Sequence, residues 1–239
     1  MKILLQKVMA SSGNYSRREA EELIRAGKVL LNDEPAFLGE RAEPGVDVIK
    51  VDGKILGGAS ELIYIKLNKP AGFVSTTARF RDEKSVFDLV SVKEKLFPVG
   101  RLDKDSRGLI LLTNDGDLAQ KLSHPRFEHE KVYEIRVRFN KIERDYKPDD
   151  IMRALEEGFD IGEGDGLARA KKAEYLQNDF FRVTLTQGKK RQLRRMFSLL
   201  SFKILDLKRV EFSALKVGSL KEGTWAYLSK KEVEDLRKS

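Results

Sequence analysis

The sequence predicts an α+β protein in which a small N-terminal domain precedes a larger domain built on a mixed or antiparallel sheet. Segments with strand patterns and segments with helix patterns follow one another without strict alternation, which argues against a purely parallel βαβ sheet. Residues 1–60 contain their own succession of two helices and short strands, and they end in the linker-like sequence Gly-Gly-Ala-Ser. We therefore predict two domains in the 239-residue chain, residues 1–60 and residues 61–239.

The N-terminal domain is predicted to begin with two helices. Ser16 and Glu19 have the spacing of a capping box, which predicts the start of the second helix, and Gly27 predicts its end. Residues 28–32 and 48–53 have strand patterns that lead into turns. The first helix is predicted from apolar residues at helical spacing, namely Leu4, Leu5, Val8 and Met9.

The larger domain shows strand and helix patterns along its whole length. The predicted strands are residues 61–70, 108–114, 131–139, 168–176, 180–188, 203–212 and 224–228. The predicted helices are residues 115–125, 147–158, 189–200 and 230–238, with a single helical turn at 85–90.

Composition excludes several classes of protein. Hydrophobic residues make up 41% and charged residues 35% of the chain, as in folded globular proteins, and no apolar run is long enough to span a membrane. The chain has no Cys and two His, so we expect no disulfide, no thiolate chemistry and no zinc or iron site. These features predict a cytoplasmic protein that does not act at a membrane.

The positive charge is concentrated in one stretch. The net charge is +8, yet residues 1–60 hold nine basic and nine acidic residues and are neutral. Residues 180–216 hold ten basic residues against Asp206 and Glu211, which accounts for the whole excess. Solubility does not require such clustering, so this stretch predicts a binding surface for a polyanion.

The candidate catalytic segment runs from Phe97 to Gly116 and has the sequence FPVGRLDKDSRGLILLTNDG. A charged turn, Arg101–Asp105, separates two apolar runs. A carboxylate in a short loop between two buried strands is held rigidly and can still contact a substrate, which favours a catalytic role for Asp103. The alternative is an ordinary surface turn whose charges form salt bridges.

The same segment resembles the signature of the RsuA/RluB-type ribosomal RNA pseudouridine synthases, a group that includes RluE and RluF. Three further blocks match this family in the same order: LNKPAGFVST at 67–76, EKVYEIRV at 130–137 and QGKKRQLRRM at 187–196. The N-terminal domain resembles the S-four-type RNA-binding domain that many of these synthases carry. The resemblance implies a pseudouridine synthase fold and isomerisation of a uridine in ribosomal RNA. That reaction involves no redox change and needs no cofactor.

The resemblance also implies three catalytic residues. Asp103 is the family's nucleophile, although chemistry alone allows it to act instead as a base on a ribose proton. A carboxylate in a water-poor pocket needs a nearby cation to stay ionised, and by resemblance that cation is Arg194, whose planar fork can grip a carboxylate. Tyr133 is expected to pack against the flipped-out base and to exchange a proton with it.

Basic residues in both domains are the predicted RNA contacts. In the N-terminal domain they are Lys7, Arg17, Arg18, Arg25 and Lys28, with solvated helix charges as the alternative reading. In the larger domain they are Arg101, Lys104, Lys190, Arg191 and Arg195, and Arg79 and Arg81 could reach phosphates as well. The side chains of Asn68, Lys69 and Ser75 either shape the pocket rim or belong to turns.

Two other functions remain open from the sequence. Asp103 and Asp105 would lie about 7 Å apart on one face of an extended segment, a separation that suits a hydrolase of the inverting glycosidase type. The chain could also be a non-catalytic RNA-binding or ribosome-assembly factor. Within the synthase reading, we favour large-subunit over small-subunit ribosomal RNA, free or in an assembling subunit, and expect a monomer.

Overall fold

The computed structural model describes residues 1–78, 81–139 and 147–239. The described chain forms two compact units, one of residues 1–63 with 92–96 and one of residues 64–91 with 97–239. The boundary that we placed at residue 60 stays a prediction. Among the described residues, no helix combines the length and the apolar character needed to cross a membrane.

The first unit packs two helices on short strands. The helices are α1 (Leu5–Ser11) and α2 (Arg17–Arg25). The strands are β1 (Ile3–Leu4), β2 (Val29–Leu31), β3 (Glu34–Pro35), β4 (Arg41–Ala42), β5 (Ile49–Val51) and β6 (Lys54–Ile55). Strands β3, β2, β5 and β6 form one antiparallel sheet in that order, and β1 pairs with β4. Both helices bury their apolar faces in one core together with β2 and β5.

The two helices follow the sequence signals, with one exception. The predicted capping box begins α2, because Ser16 Oγ accepts from Glu19 N at 3.2 Å and Ser16 N donates to Glu19 Oε2 at 2.6 Å. Gly27, with φ of +68°, follows the helix as predicted. The prediction that Leu4 lies on the buried face of α1 is wrong, since Leu4 lies in β1 and is exposed. Leu4 is not part of α1 because its backbone is extended and the helix begins at Leu5.

The second unit is an α+β domain, as predicted. Its strands are β7 (Tyr64–Lys69), β8 (Phe73–Val74), β9 (Lys84–Ser85), β10 (Phe97–Val99), β11 (Arg107–Thr113), β12 (Lys131–Phe139), β13 (Phe159–Asp160), β14 (Leu167–Ala168), β15 (Lys172–Gln177), β16 (Phe180–Leu185), β17 (Phe202–Phe212), β18 (Leu215–Lys216) and β19 (Trp225–Tyr227). Its helices are α3 (Gly116–Ser123), α4 (Pro148–Glu157), α5 (Gln192–Leu199) and α6 (Lys230–Lys238). Short 3₁₀ turns lie at Val86–Leu89 and Pro125–Phe127.

One large mixed sheet organises this unit. Its strand order is β15-β16-β12-β17-β11-β7-β19, with β10 added beside β11 and β18 beside β17. The pairing of β11 with β17 is parallel, whereas the other described pairs of this sheet are antiparallel. Strand β11 is buried along nearly its whole length, which explains its continuous apolar sequence.

Helix α5 begins later than its sequence pattern predicts. We expected a helix from residue 189, but the helix starts at Gln192 because Arg191 adopts a left-handed conformation with φ of +50°. A turn precedes it, in which Gln192 N donates to Lys189 O at 3.2 Å. The helix buries Leu193, Met196 and Phe197, as its apolar spacing predicts.

Gly108 permits a close contact between β11 and β17. Gly108 pairs with Arg209 across the parallel strands and has φ of +107°. A Cβ atom at this position would lie 2.2 Å from the carbonyl oxygen of Arg209 and 2.7 Å from its nitrogen. Real side chains do not approach backbone atoms so closely, so these two strands can meet here only at a glycine.

The first prediction concerns this contact. The substitution Gly108→Ala adds backbone strain and a clash with the Arg209 backbone, and we expect it to lower the free energy of unfolding by about 3 kcal/mol or more. Gly223→Ala is the matched control, because Gly223 has φ of +80° but open space around its Cβ position. It should cost about 1 kcal/mol, from strain alone. Urea unfolding of both variants measures the difference, and equal losses would contradict the proposed clash.

Candidate active site

A cavity of about 780 Å³ opens in the second unit. Its walls come from four segments that are distant in the chain, within residues 100–106, 122–133, 185–194 and 207–212. The volume lies within the range of small-molecule sites and exceeds what one nucleoside needs. Asp103, Tyr133 and Arg194, the predicted catalytic residues, all line this cavity.

Asp103 lies in the segment that connects β10 to β11. Its side chain is half-buried, and it forms no hydrogen bond or ion pair within the part of the chain that the structure describes. Its backbone is fixed by a turn, in which Ser106 N donates to the Asp103 carbonyl oxygen at 3.0 Å. The carboxylate is therefore held in place by its backbone and remains available at the cavity wall.

The ammonium group of Lys69 fixes this loop from one side. Lys69 ends β7 and is fully buried. Its Nζ donates to the carbonyl oxygens of Ser106 at 2.6 Å, Pro70 at 2.9 Å and Lys104 at 3.4 Å. One buried cation thus ties the end of β7 to both sides of the turn that follows Asp103.

Other segments fix the remaining peptides of the loop. Ser75 Oγ donates to the carbonyl oxygen of Leu102 at 3.0 Å and accepts from its N–H at 3.3 Å. Gly72 N donates to the carbonyl oxygen of Lys104 at 2.7 Å. The peptides on both sides of Asp103 are consequently bound by neighbouring segments, which is the arrangement that positions a reactive side chain.

Burial of Lys69 has an electrostatic cost. Desolvation lowers the pKa of Lys69 to about 8, and the nearby carboxylates of Asp103 and Asp105 oppose that shift. The charged ammonium is therefore stabilised by the loop it holds, and the negative charge of Asp103 lies within its field. This coupling links the conformation of the loop to the charge at the site.

Arg194 reaches the same loop from α5. Its Nη2 donates to the carbonyl oxygen of Asp105 at 3.1 Å and to Ser106 Oγ at 3.5 Å, and its buried Nε has no partner among the described residues. Burial, with help from Arg191, lowers the pKa of Arg194. The expected two-pronged grip on Asp103 is not formed, because the guanidinium is used on the backbone that follows Asp103.

Tyr133 lies opposite the loop, in the middle of the sheet. Strand β12 places it beside Val183 of β16 and Arg209 of β17, and it is 9% exposed. Its hydroxyl forms no hydrogen bond within the described part of the chain. The ring is thus a rigid wall of the cavity with a free polar group.

The predicted phosphate-binding residues of this unit have different surroundings. Arg101 is exposed at the cavity and has no partner among the described residues. The other exposed cations form weak surface pairs, Lys104 with Glu83 at 3.2 Å, Lys190 with Glu163 at 3.6 Å and Arg191 with Asp105 at 3.5 Å. Such pairs are worth little and can exchange for a phosphate. Arg81 is exposed, and Arg79 lies outside the described residues.

Arg195 corrects an expectation. We expected it to contact RNA phosphate, but its side chain is largely buried and its donors are used within the protein. It donates to the carbonyl oxygen of Ile161 from Nε at 3.0 Å and from Nη2 at 2.6 Å. It also forms an ion pair with Asp165 and a hydrogen bond to the carbonyl oxygen of Gly162. Neighbouring helix residues point about 100° apart, so Arg195 faces away from the site that Arg194 reaches.

The predicted cations of the first unit lie mostly at the surface. Arg17 and Arg18, in the first turn of α2, are exposed and have no partner within the described residues. Arg25 and Lys28 are exposed and pair loosely with Glu21 at 3.9 Å and Asp52 at 3.6 Å. Lys7 is half-buried and takes part in an intramolecular interaction.

No metal-binding cluster is present in the described segments. Groups of three or more His, Asp or Glu side chains close enough to hold an ion are absent there. His129 is buried near the cavity, and desolvation lowers its pKa.

Comparison with known proteins identifies the family. Residues 63–199 match the sequence model of the RNA pseudouridylate synthases, and residues 4–48 match that of the S4 domain. The chain belongs to the RNA pseudouridylate synthase family. The enzyme class and the N-terminal RNA-binding domain predicted from the sequence are thereby confirmed.

Individual relatives cover nearly the whole chain. The dual-specificity RNA pseudouridine synthase RluF of Escherichia coli O157:H7 is 38% identical over 99% of this chain and 79% of its own length. The ribosomal large subunit pseudouridine synthase B of Bacillus subtilis strain 168 is 37% identical over 98% and 95%. A crystal structure of a pseudouridylate synthase superposes with a TM-score of 0.69 at 28% identity, covering 98% of this chain and 99% of that chain.

Sequence reasoning missed the residues that position the loop. Lys69 and Ser75 were left as rim or turn residues, yet both bind the backbone next to Asp103. A signal was available for Lys69, because residues two apart in a strand share a face and Lys69 therefore lies on the same face as the apolar Ile65 and Leu67. Nothing in the sequence indicates which carbonyl groups such an ammonium would bind.

The second prediction tests the role of Lys69. Lys69→Met removes three hydrogen bonds to buried carbonyl groups and frees the loop that carries Asp103. A displacement of about 1 Å of a reacting group can cost 10²-fold, so we expect the single-turnover rate of pseudouridine formation to fall by roughly that factor. The affinity for RNA should change little, because the ammonium is buried.

Lys66→Met is the matched control. Lys66 lies on the same strand but pairs with Glu232 at 2.6 Å, away from the loop. It should keep a rate close to that of the wild type. A rate for Lys69→Met that is also close to wild type would exclude a positioning role for this ammonium.

Proposed function

We propose that the protein converts a specific uridine of ribosomal RNA into pseudouridine, with Asp103 as the reacting carboxylate and without a cofactor. One observation supports this most directly. The side chain of Asp103 has no partner in the described chain, although the peptides around it are bound by Lys69, Ser75 and Arg194. A carboxylate that is positioned but unpaired is suited to react with a bound substrate.

The chemistry proceeds in two stages. The bond from ribose C1′ to uracil N1 breaks, and its electron pair stays on the base. The Asp103 carboxylate either forms a bond to C1′ or takes a proton from the ribose. The base then turns and a bond forms from C5 to C1′, while the bond from Asp103 to C1′ breaks or, in the second case, the ribose proton is returned. C5 finally loses its proton and N1 takes up one. No atom is gained or lost overall, so the product is an isomer.

Tyr133 and Arg194 have supporting roles in this scheme. The Tyr133 ring forms a wall against which a flipped base can stack, and its unpaired hydroxyl can exchange the proton of C5 or N1. Arg194 holds the peptide that follows Asp103, its buried Nε has no partner among the described residues, and the carboxylates of Asp105 and Asp103 lie close enough to act on its charge.

The names of two relatives favour a ribosomal target. The Bacillus subtilis relative is a large-subunit pseudouridine synthase, and the Escherichia coli relative is a dual-specificity RNA pseudouridine synthase. We therefore favour large-subunit ribosomal RNA, with a second RNA as a competing outcome. The exposed cations Arg101, Lys104, Lys190 and Arg191 at and near the cavity would bind the phosphates on either side of the target.

The third prediction concerns Asp103. Pseudouridines are mapped in total RNA from a strain that lacks the gene and from the same strain complemented with wild type or Asp103→Ala. We expect one or more sites in large-subunit ribosomal RNA to disappear on deletion and to return only with the wild type. In single-turnover assays, removal of the reacting group should slow the reaction by about 10⁴-fold or more.

Asp105→Ala is the matched control, and it also tests the hydrolase alternative. The Asp105 side chain is exposed and its one ion pair among the described residues is with Arg191 at 3.5 Å, so its loss should leave the modification intact. A paired-carboxylate hydrolase would need both residues and would release free uracil. If every pseudouridine persists without the gene, the proposed target is wrong and a non-catalytic role gains support.

The fourth prediction concerns the first unit. Arg17 and Arg18 are exposed and unpaired in the described chain, so each can bind one phosphate. The double substitution Arg17→Ala/Arg18→Ala should weaken binding of the substrate RNA and reduce the slope of log K against log salt by roughly 1 to 2. Filter binding at several salt concentrations measures both quantities.

Lys54→Ala serves as the control for lost charge. Lys54 is exposed on β6 in the same unit but outside the helix. Its removal should leave the salt slope nearly unchanged. An effect of Lys54→Ala that equals the effect of the double substitution per charge removed would show that net charge, and not the α2 surface, controls binding.

A further inference from the structure

Arg209 is a buried arginine that has no carboxylate partner among the described residues. It lies on β17, is 1% exposed and lines the cavity. Its Nε donates to the carbonyl oxygen of Leu109 at 2.7 Å, and its Cζ lies 5.1 Å from the centre of the Phe212 ring. No ion pair with an acidic side chain within 4.0 Å is formed in the described segments. A buried charge without an opposite charge is costly.

The guanidinium also has an unused donor. Its Nη2 is buried and has no hydrogen-bond partner among the described residues. An unmade hydrogen bond of a buried charged group is destabilising, and arginine cannot relieve it by losing its proton. The protein therefore maintains this group at a cost to its stability, which points to a function that requires it.

The surroundings of Arg209 are cationic. Lys69 is fully buried and Lys131 is half-buried near Arg209. The positive charge of Arg209 contributes to lowering the pKa of each lysine to about 8. Burial is the larger cause in both cases. Lys131 Nζ is used on the carbonyl oxygens of His129 at 3.0 Å and Thr186 at 3.2 Å. Of these three cations Arg209 and Lys131 line the cavity, so this part of its wall favours a negatively charged ligand.

Arg209 lies next to Tyr133, the residue against which the flipped base is expected to stack. Arg209 is the cross-strand partner of Tyr133, and directly paired residues of adjacent strands project from the same face of a sheet. The expected stacking surface for the base and this unpaired guanidinium are thus neighbours. Asp103, which would react with the ribose, lines the same cavity.

We propose that Arg209 is a catalytic residue that binds the uracil anion formed when the bond from C1′ to N1 breaks. The electron pair of that bond moves onto the ring and is shared with the carbonyl oxygen next to N1, where a guanidinium N–H can donate. A fixed buried donor stabilises the charge as it develops and keeps the detached base in the cavity. The inference rests on the proposed reaction and assigns a role that the reaction requires.

The fifth prediction compares two leaving groups. Oligonucleotides of the mapped target carry either uridine or 5-fluorouridine at the reactive position, and single-turnover loss of that nucleoside is followed in nuclease digests. The 5-fluorouracil anion is intrinsically more stable and needs less help from the protein. We expect Arg209→Met to slow the reaction of the uridine substrate by about 10²–10³-fold. The factor by which it slows the fluorinated substrate should be at least about ten times smaller.

Arg195→Met is the matched control. It also removes a largely buried arginine with backbone contacts, but one that does not line the cavity. It should lower the melting temperature and affect both substrates by the same factor. Arg209→Lys keeps the charge and loses the fork, so it should show the same substrate dependence with a smaller loss. It provides the comparison if Arg209→Met does not fold.

The outcomes separate this inference from the proposed function. If the wild type converts the uridine substrate but Arg209→Met and Arg209→Lys slow both substrates equally, Arg209 is structural and the inference fails alone. If the wild type leaves the uridine substrate unchanged, the proposed function fails and the inference fails with it. Substrate-dependent loss with little change in RNA affinity supports the role in stabilising the anion.

Discussion

The hydrogen bonds of the Lys69 ammonium are the interaction on which the geometry of the active site depends. The group is buried at the end of β7, and its three acceptors are the carbonyl oxygens of Pro70, Lys104 and Ser106. These contacts join the strand beside β11 to the turn that follows Asp103. Because a buried ammonium must keep its acceptors, a movement of the loop that breaks these hydrogen bonds is energetically costly.

The distribution of buried charge follows from this arrangement. Lys131, Arg194 and Arg209 line the cavity and Lys69 lies close to Asp103, whereas the acidic residues among the described lining are Asp103 and Glu128. Backbone carbonyl groups, not carboxylates, provide most of the acceptors for these cations. The site thus holds positive charge in fixed positions and leaves the Asp103 carboxylate free, which suits a reaction in which the base becomes negative and the ribose positive.

The basic segment before and within α5 has two separate uses. Arg194 contacts the loop of Asp103, whereas Arg195, one residue later, binds the segment around Ile161 and Asp165. The 100° rotation between adjacent helix residues forces this division. The clustering of positive charge in the sequence therefore overstates the surface that is open to RNA, since part of it stabilises the fold.

The sequence alone determined the fold class, the family and most elements of secondary structure, because these depend on local patterns: alternation in β12, the capping box of α2, and short blocks around Asp103, Tyr133 and Arg194. It could not determine the partners of Lys69, Ser75, Arg195 and Arg209, or the exposure of Leu4. Those depend on which segments meet when the sheet assembles, as when Gly108 lets β11 approach β17 at Arg209. Tertiary structure decided which cations are used within the protein and which remain for the substrate, since hydrogen-bond partners distant in sequence are chosen only by the packing of the chain.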